Sequence, residues 1–283
     1  MQRYKILHRT YYNFSAAVQL GPHALRLRPR EGHNLRIESS KLDISPRANL
    51  QWFFDVEDNS VAIATFDRST NQLLIESEVI IQQYDQTPFN FLVTDAAADY
   101  PFTYAAEDEL VLAPYRVAAE EPGDDALAEW IKGIWQPGES LPTFALLQRL
   151  NGAIHQGCSY RLREEPGVQA ATRTLELGTG SCRDFAQLFI EVARHLGFAA
   201  RFVSGYLHAP PTTIDFGSTH AWAEVYLPGV GWKGFDPTVG ELVGPNHIAV
   251  AVARLPESVP PVAGSFVGPP GTALDVGVWV SAL

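Results

Sequence analysis

The chain has 283 residues, 46% of them hydrophobic and 19% charged, the balance of a globular protein with a sizeable core and length enough for two domains. Its formal net charge of −11 repels phosphate backbones and anionic lipid, which argues against nucleic-acid binding and peripheral membrane attachment. Two cysteines, Cys158 and Cys182, are too few for a disulfide scaffold and suit a reducing compartment. Met1 to Thr10 lack the apolar run of a secretory signal, and no stretch reaches the length of a membrane span, so a cytoplasmic address is expected.

Up to about Gln83 the sequence reads as β-rich. Tyr4 to Thr10, Leu35 to Ser40 and Asn71 to Ile80 carry β-branched and aromatic residues between polar breaks. Arg28-Pro-Arg-Glu-Gly, Ser45-Pro and Asp58-Asn-Ser punctuate them. A β-sandwich or barrel-like module is expected here. Asp85 to Gly123 is rich in prolines and turns, yet Phe89, Phe91, Tyr100, Phe102, Tyr104 and Tyr115 are too apolar for a solvated tether. We therefore expect this linker to pack on the surface, within an N-terminal unit of residues 1–118.

The second unit, residues 119–283, opens with two helical patterns. Asp124 and Asp125 stand where a helix cap belongs, followed by Leu127, Trp130, Ile131 and Ile134 at three-four spacing. Pro142 opens the next, with Phe144, Leu147, Leu150 and Ile154 on one face. Cys158 to Arg163 reads as a short strand, and a polar loop runs from there to Gly180. A third helix is expected from Cys182 to Leu196, with Gly197 as its left-handed cap. Strands follow at Ala200 to Leu207, Ala221 to Leu227 and Trp232 to Phe235, the last two joined as a hairpin. The tail adds His247 to Ala253 and Ala273 to Val280.

The chemistry concentrates at Cys182. A Gly-rich turn delivers it to the first turn of an amphipathic helix, where unpaired N–H groups and the helix dipole favour thiolate, the nucleophilic form. A free cysteine is as often a small buried hydrophobe. His220 opens one strand and Asp236 closes the next, so in a hairpin both can reach one sheet edge. A carboxylate holding one imidazole nitrogen leaves the other to take the thiol proton and return it. Separately, a surface histidine and an Asp-Pro turn explain these two residues equally well. Together with Cys182 they describe a nucleophile, a base and an orienting group.

The blocks Gly-Ser-Cys-Arg-Asp-Phe-Ala around Cys182, Thr-His-Ala-Trp-Ala-Glu-Val-Tyr around His220 and Gly-Trp-Lys-Gly-Phe-Asp-Pro-Thr around Asp236 resemble the three signature segments of the transglutaminase-like superfamily. Tyr4 to Phe14 and Leu25 to Arg30 resemble the N-terminal β-module of its bacterial members, and the tail from Pro260 resembles their C-terminal segment. The resemblance implies an α+β fold: a papain-like core, with the nucleophile helix on an antiparallel sheet, beside a β-sandwich-like module. It implies thioester-mediated acyl transfer by Cys182, His220 and Asp236, without a cofactor, on an amide of a peptide or protein. Water as acceptor makes a peptidase or amidase, and an amine makes a protein-glutamine transglutaminase. A silent binding module and a structural domain are the other classes, the first disfavoured by the intact Cys–His–Asp set. Val239 stands where the family usually has Asn, and Arg254-Leu-Pro replaces Arg-Asp-Tyr; both bear on substrate preference.

An acyl-transfer site also needs donors for the developing oxyanion. The Cys182 N–H is the natural first, and Tyr160 a second, unless Tyr160 is a packed aromatic. Trp222 either walls the cleft or packs in the core. Asp184, in the first turn of the nucleophile helix, has the role of a dipole-compensating carboxylate. His155 and Cys158 lack the further ligands of a zinc site. A Cys158–Cys182 disulfide would consume the nucleophile.

Overall fold

The structure, a computed structural model, describes residues 1–84, 91–119, 125–208 and 219–283. Asp85, Pro88 and Phe89 of the expected linker, Pro122 and the expected cap Asp124 lie outside the described residues, as do Asp215 and Ser218.

The alternating N-terminal segments form β1 (Gln2–Leu20), β2 (His23–Leu25), β3 (Leu35–Ser45), β4 (Asn49–Phe54), β5 (Ser60–Thr65) and β6 (Thr70–Gln83). In β6 every second residue from Leu73 onward is buried, the period-two pattern of a strand with one face on a core. β1, β6 and β3 belong to one sheet and β2, β5 and β4 to another. Phe14, Val18, Leu25, Ala62, Ala64, Leu73 and Ile75 fill the space between them, making a β-sandwich.

The linker contains β7 (Asp99–Tyr100) and a helix, α1 (Ala106–Arg116), where only turns were expected. Leu112 is its one buried residue, which leaves little apolar period to read. The segment packs on the core as expected: Tyr100 stacks on Phe198, and the Tyr104 hydroxyl donates to Tyr226 O. Next come α2 (Asp125–Ile134), β8 (Leu141–Pro142), α3 (Thr143–Gly157), β9 (Ser159–Tyr160), α4 (Ala171–Leu177) and β10 (Thr179–Gly180). The short α4 occupies part of the span read as a polar loop.

The core proper is α5 (Cys182–His195) against an antiparallel sheet of β11 (Ala200–Leu207), β12 (His220–Leu227), β13 (Gly231–Asp236), β14 (Glu241–Leu242) and β15 (His247–Ala253), in the order β14-β13-β12-β11-β15. Gly197, at φ 85°, caps α5. Phe185, Leu188, Phe189 and Val192 of α5 share one core with Ala221, Ala223, Val225 and Leu227 of β12. Among the described residues no helix is long and apolar enough to cross a membrane.

The C-terminal strands, grouped above with the second unit, join the N-terminal module instead. β16 (Val262–Ala263) pairs with β2, while β17 (Phe266–Val267) and β18 (Thr272–Ala282) pair with β1. Tyr4 pairs with Ala282 and Phe14 with Thr272, so β1 lies between β6 and β18. The unit expected to end near 118 is therefore completed by the last part of the chain.

The module packs on the face of the core sheet away from α5. Tyr4, Ile6, Val79 and Ile81 bury themselves with Tyr206 of β11 and Ile248 and Val250 of β15. The fully buried Asn59 side chain donates to Val252 O and accepts from Val252 N–H, both at 2.8 Å. Arg30 N–H donates to Ala249 O at 2.8 Å. His8 is buried between Tyr206 Oη and Thr10 Oγ1, each 3.0 Å from a ring nitrogen.

Burial lowers the His8 pKa to about 4, so the folded protein holds it neutral where the unfolded chain binds a proton. Its contribution to stability is present above the ordinary histidine pKa and lost as pH falls through about 4. Denaturant midpoints should decline on acidification across that window, and less steeply in a His8→Gln variant. Parallel declines in both proteins would place the effect elsewhere.

Candidate active site

Ser181, Cys182 and Asp184 open α5 through a local hydrogen-bond exchange. Asp184 Oδ2 accepts the Ser181 backbone N–H and the Ser181 hydroxyl, both at 2.8 Å. Its Oδ1 accepts from Gln169 N–H at 2.7 Å and Arg163 Nη1 at 2.6 Å, which ties the preceding loop down over the helix start. Burial pushes the Asp184 carboxyl up, but these donors outweigh it and hold its pKa below the ordinary value. Asp184 is thus the structural carboxylate expected of it. Cys182 takes the first helical position, 9% exposed, where backbone N–H groups have no partner one turn below. Cys158 begins after α3, and both thiols are free.

His220 and Asp236 come to one edge of the sheet because β12 starts where β13 ends. Ala223 pairs with Phe235 and Leu227 with Gly231, the expected hairpin register. His220 Nε2 lies 2.6 Å from Asp236 Oδ2, leaving Nδ1 for the Cys182 thiol, which hydrogen-bonds to this imidazole. Burial disfavours the imidazolium, yet the Asp236 charge, the hydrogen bond to it and the Cys182 group together raise the His220 pKa to about 10. Burial likewise raises the fully buried Asp236 carboxyl, and the His220 charge with the donors of His220 and His247 overrides it. The net shift is well below the usual carboxylate range. Glu224, on the same strand as His220, pairs with Arg201 at 2.8 Å.

A residue not singled out in the sequence completes the edge. His247 opens β15, 8% exposed, with Nε2 at 2.9 Å from the same Asp236 Oδ2. The other carboxylate oxygen, Oδ1, accepts Thr238 N–H at 2.9 Å. His247 follows Asp236 by eleven residues, and nothing local marks it apart from a histidine at a strand start.

His220, Asp236 and His247 offer three potential metal-ligand atoms within 4.8 Å of one another. The hydrogen bonds oppose that use. Gly244 N–H donates to His247 Nδ1 at 3.2 Å, so the proton of a neutral ring sits on Nε2, the atom a metal would need. The arrangement is that of donors converging on a carboxylate. His155, weighed above as a ligand, has Nδ1 at 3.0 Å from Thr238 O and joins no such group among the described residues.

Tyr160 lies on β9, which runs parallel to β10 immediately before α5, with Gly180 as its partner. Its ring packs edge-on against Phe185, centroids 6.5 Å apart. Trp222, given two roles above, is 1% exposed and packs with Val203 and Val252 as a core residue. Its ring stands edge-on to His247 at 5.3 Å and 6.1 Å from His220, so it backs both imidazoles. A Cβ on Gly205 would lie 2.6 Å from this ring, which explains the glycine.

Residues 4–82 match the bacterial transglutaminase-like N-terminal region, and residues 136–237 match the transglutaminase-like superfamily. The second match encloses Cys182, His220 and Asp236 and stops short of His247. An uncharacterized protein of Mycobacterium tuberculosis strain H37Rv is 29% identical over 297 residues, covering 98% of this chain and 92% of its own length. An uncharacterized protein of Mycobacterium leprae is 24% identical over 289 residues, with both chains covered completely. A solved structure of a candidate cysteine protease from Cytophaga hutchinsonii superposes with a TM-score of 0.74 at 16% identity, covering 100% of this chain and 91% of that one, a likeness of fold.

The raised His220 pKa carries a sign. A protonated imidazole held by Asp236 contributes stability that is complete below the ordinary histidine pKa and is lost as pH rises through about 10. Subtracting the midpoint profile of a His220→Gln variant from that of the native protein should leave a difference that shrinks across this alkaline window. A constant difference would mean that the imidazole is not charged in the fold.

Proposed function

Because the chain belongs to the transglutaminase-like superfamily, we propose that it is a thiol-dependent acyl-transfer enzyme that cleaves amide bonds of peptides or proteins through a thioester on Cys182. The observation that carries this reading is the 2.6 Å bond between His220 and Asp236 beside the thiol at the start of α5. The thiol proton rests on His220 before attack, so sulfur attacks the amide carbon as thiolate and His220 Nδ1–H gives that proton to the departing nitrogen. A second nucleophile then attacks the thioester while the same imidazole takes its proton. Water serves as that nucleophile without a dedicated site, and we assign it the role, which makes the protein a peptidase or amidase. The Cys182 N–H, with a donor from the Tyr160 strand, is assigned to the oxyanion. Asp236 holds the imidazole in its productive tautomer and remains ionised throughout.

Two measurements test the reading. Limiting iodoacetamide at near-neutral pH should alkylate Cys182 before Cys158, whose pKa is raised by burial; mass spectrometry reads the order, and equal labelling counts against the proposal. The Asp236→Asn substitution preserves shape but favours the wrong tautomer. It should slow the burst of thioester formation from an activated ester by on the order of a hundredfold, about 3 kcal/mol of transition-state stabilisation. A native burst rate in that variant would assign the orienting role to another group.

A further inference from the structure

We propose that His247 is a positioning residue for the nucleophilic machinery: as a neutral imidazole with its proton on Nε2, it fixes the Asp236 carboxylate in the orientation from which that carboxylate holds His220. This rests on the acyl-transfer reading above.

The hydrogen-bond pattern allows one tautomer. His247 Nδ1 lies at 3.2 Å from the Gly244 backbone nitrogen, whose hydrogen points at it. Only an unprotonated Nδ1 can accept that hydrogen, so a neutral ring carries its proton on Nε2 and donates it to Asp236 Oδ2 at 2.9 Å. The ring cannot easily turn away. The His247 backbone N–H closes a turn on Gly244 O at 3.0 Å, and Trp222 stands edge-on behind the imidazole. The preceding residue is anchored from the other module, where the Tyr4 hydroxyl donates to Asn246 Oδ1 at 2.9 Å.

Three N–H groups therefore converge on Asp236: His220 and His247 on Oδ2, and Thr238 on Oδ1. A carboxylate with only the His220 and Thr238 bonds can rotate about its last torsion and trade one for the other. The second imidazole on Oδ2 removes that freedom. Because Asp236 is completely buried, no solvent competes for the vacated lone pair and a lost donor goes unreplaced. His247 thereby acts on the reaction through Asp236.

The test compares His247→Leu, which keeps bulk without a donor, with His247→Gln, whose amide nitrogen can reach nearly the same place. Single-turnover acylation by p-nitrophenyl acetate is followed with mass spectrometric location of the acetyl group, and circular dichroism melting checks each fold. His247→Leu should lower the saturating acylation rate by about ten- to a hundredfold, the usual weight of an outer hydrogen-bond partner. Its half-saturation concentration should move by less than about twofold, and His247→Gln should recover most of the rate. Combined with Asp236→Asn, the Leu substitution should cost nothing further. Long-range proton–nitrogen spectra of the native protein should show the Nε2–H tautomer at His247, a readout independent of turnover.

A native rate in His247→Leu, equal loss in Leu and Gln, full additivity with Asp236→Asn, or the Nδ1–H tautomer would each overturn the inference while leaving the acyl-transfer reading intact. So would stoichiometric zinc in the purified protein, with acylation lost on chelation, because the three side chains would then be ligands. Absence of acylation at Cys182 in the native protein would instead overturn the acyl-transfer reading, and this inference with it.

Discussion

A single ionised carboxylate with no exposure to solvent sets the terms for the rest of this molecule. Burying Asp236 costs several kcal/mol unless its oxygens are saturated by donors held in place. The fold meets that demand with three elements: β12 brings His220, the turn after β13 brings the Thr238 N–H, and β15 brings His247. The charge of His220 is the other half of the same constraint. Its imidazolium survives burial largely because Asp236 is ionised, and Asp236 stays ionised largely because that imidazolium is there. The proposed chemistry and the local stability are in this sense one electrostatic problem.

The N-terminal module enters the problem through β15. Asn59 exchanges two hydrogen bonds with Val252, Arg30 N–H donates to Ala249 O, and Ile248 and Val250 lie under Tyr4, Ile6 and Val79. β15 is an edge strand of the core sheet, and edge strands fray unless something covers them. Here the cover is another module, and the residue at the start of the covered strand is His247. A β-sandwich that holds neither cysteine of the chain thus reaches His220 by way of β15, His247 and Asp236.

Much of this was legible in the residue pattern. The three-four spacing of Phe185, Leu188, Phe189 and Val192 was enough to place α5, and Gly197 to end it. β11 and β15 run over the residues expected from their apolar content. The hairpin that aligns His220 with Asp236 followed from a six-residue segment, Leu227 to Trp232. What escaped was either weak in period or remote in sequence. α1 buries one side chain and carries Pro114, and α4 is only seven residues long, so neither offers a window in which a helical stripe accumulates. His247 meets Asp236 only after β15 has paired with β11, a pairing no local signal encodes. The return of β16, β17 and β18 to the first module escaped for the same reason: Tyr4 and Ala282 stand at opposite ends of the chain.

That return has a bearing on how the protein is made. β1 is an interior strand whose two flanks are filled by β6, reached within the first 83 residues, and by β18, which begins at Thr272. During synthesis one flank of β1 stays unpaired until the core around α5 has been added. A 19-residue strand with an open flank is a ready template for wrong partners. The pairing that removes the hazard has one of the largest loop-closure distances the chain allows, and contacts of that kind form late. The first module is therefore completed only once β18, which follows the α5-bearing core in the sequence, has been added.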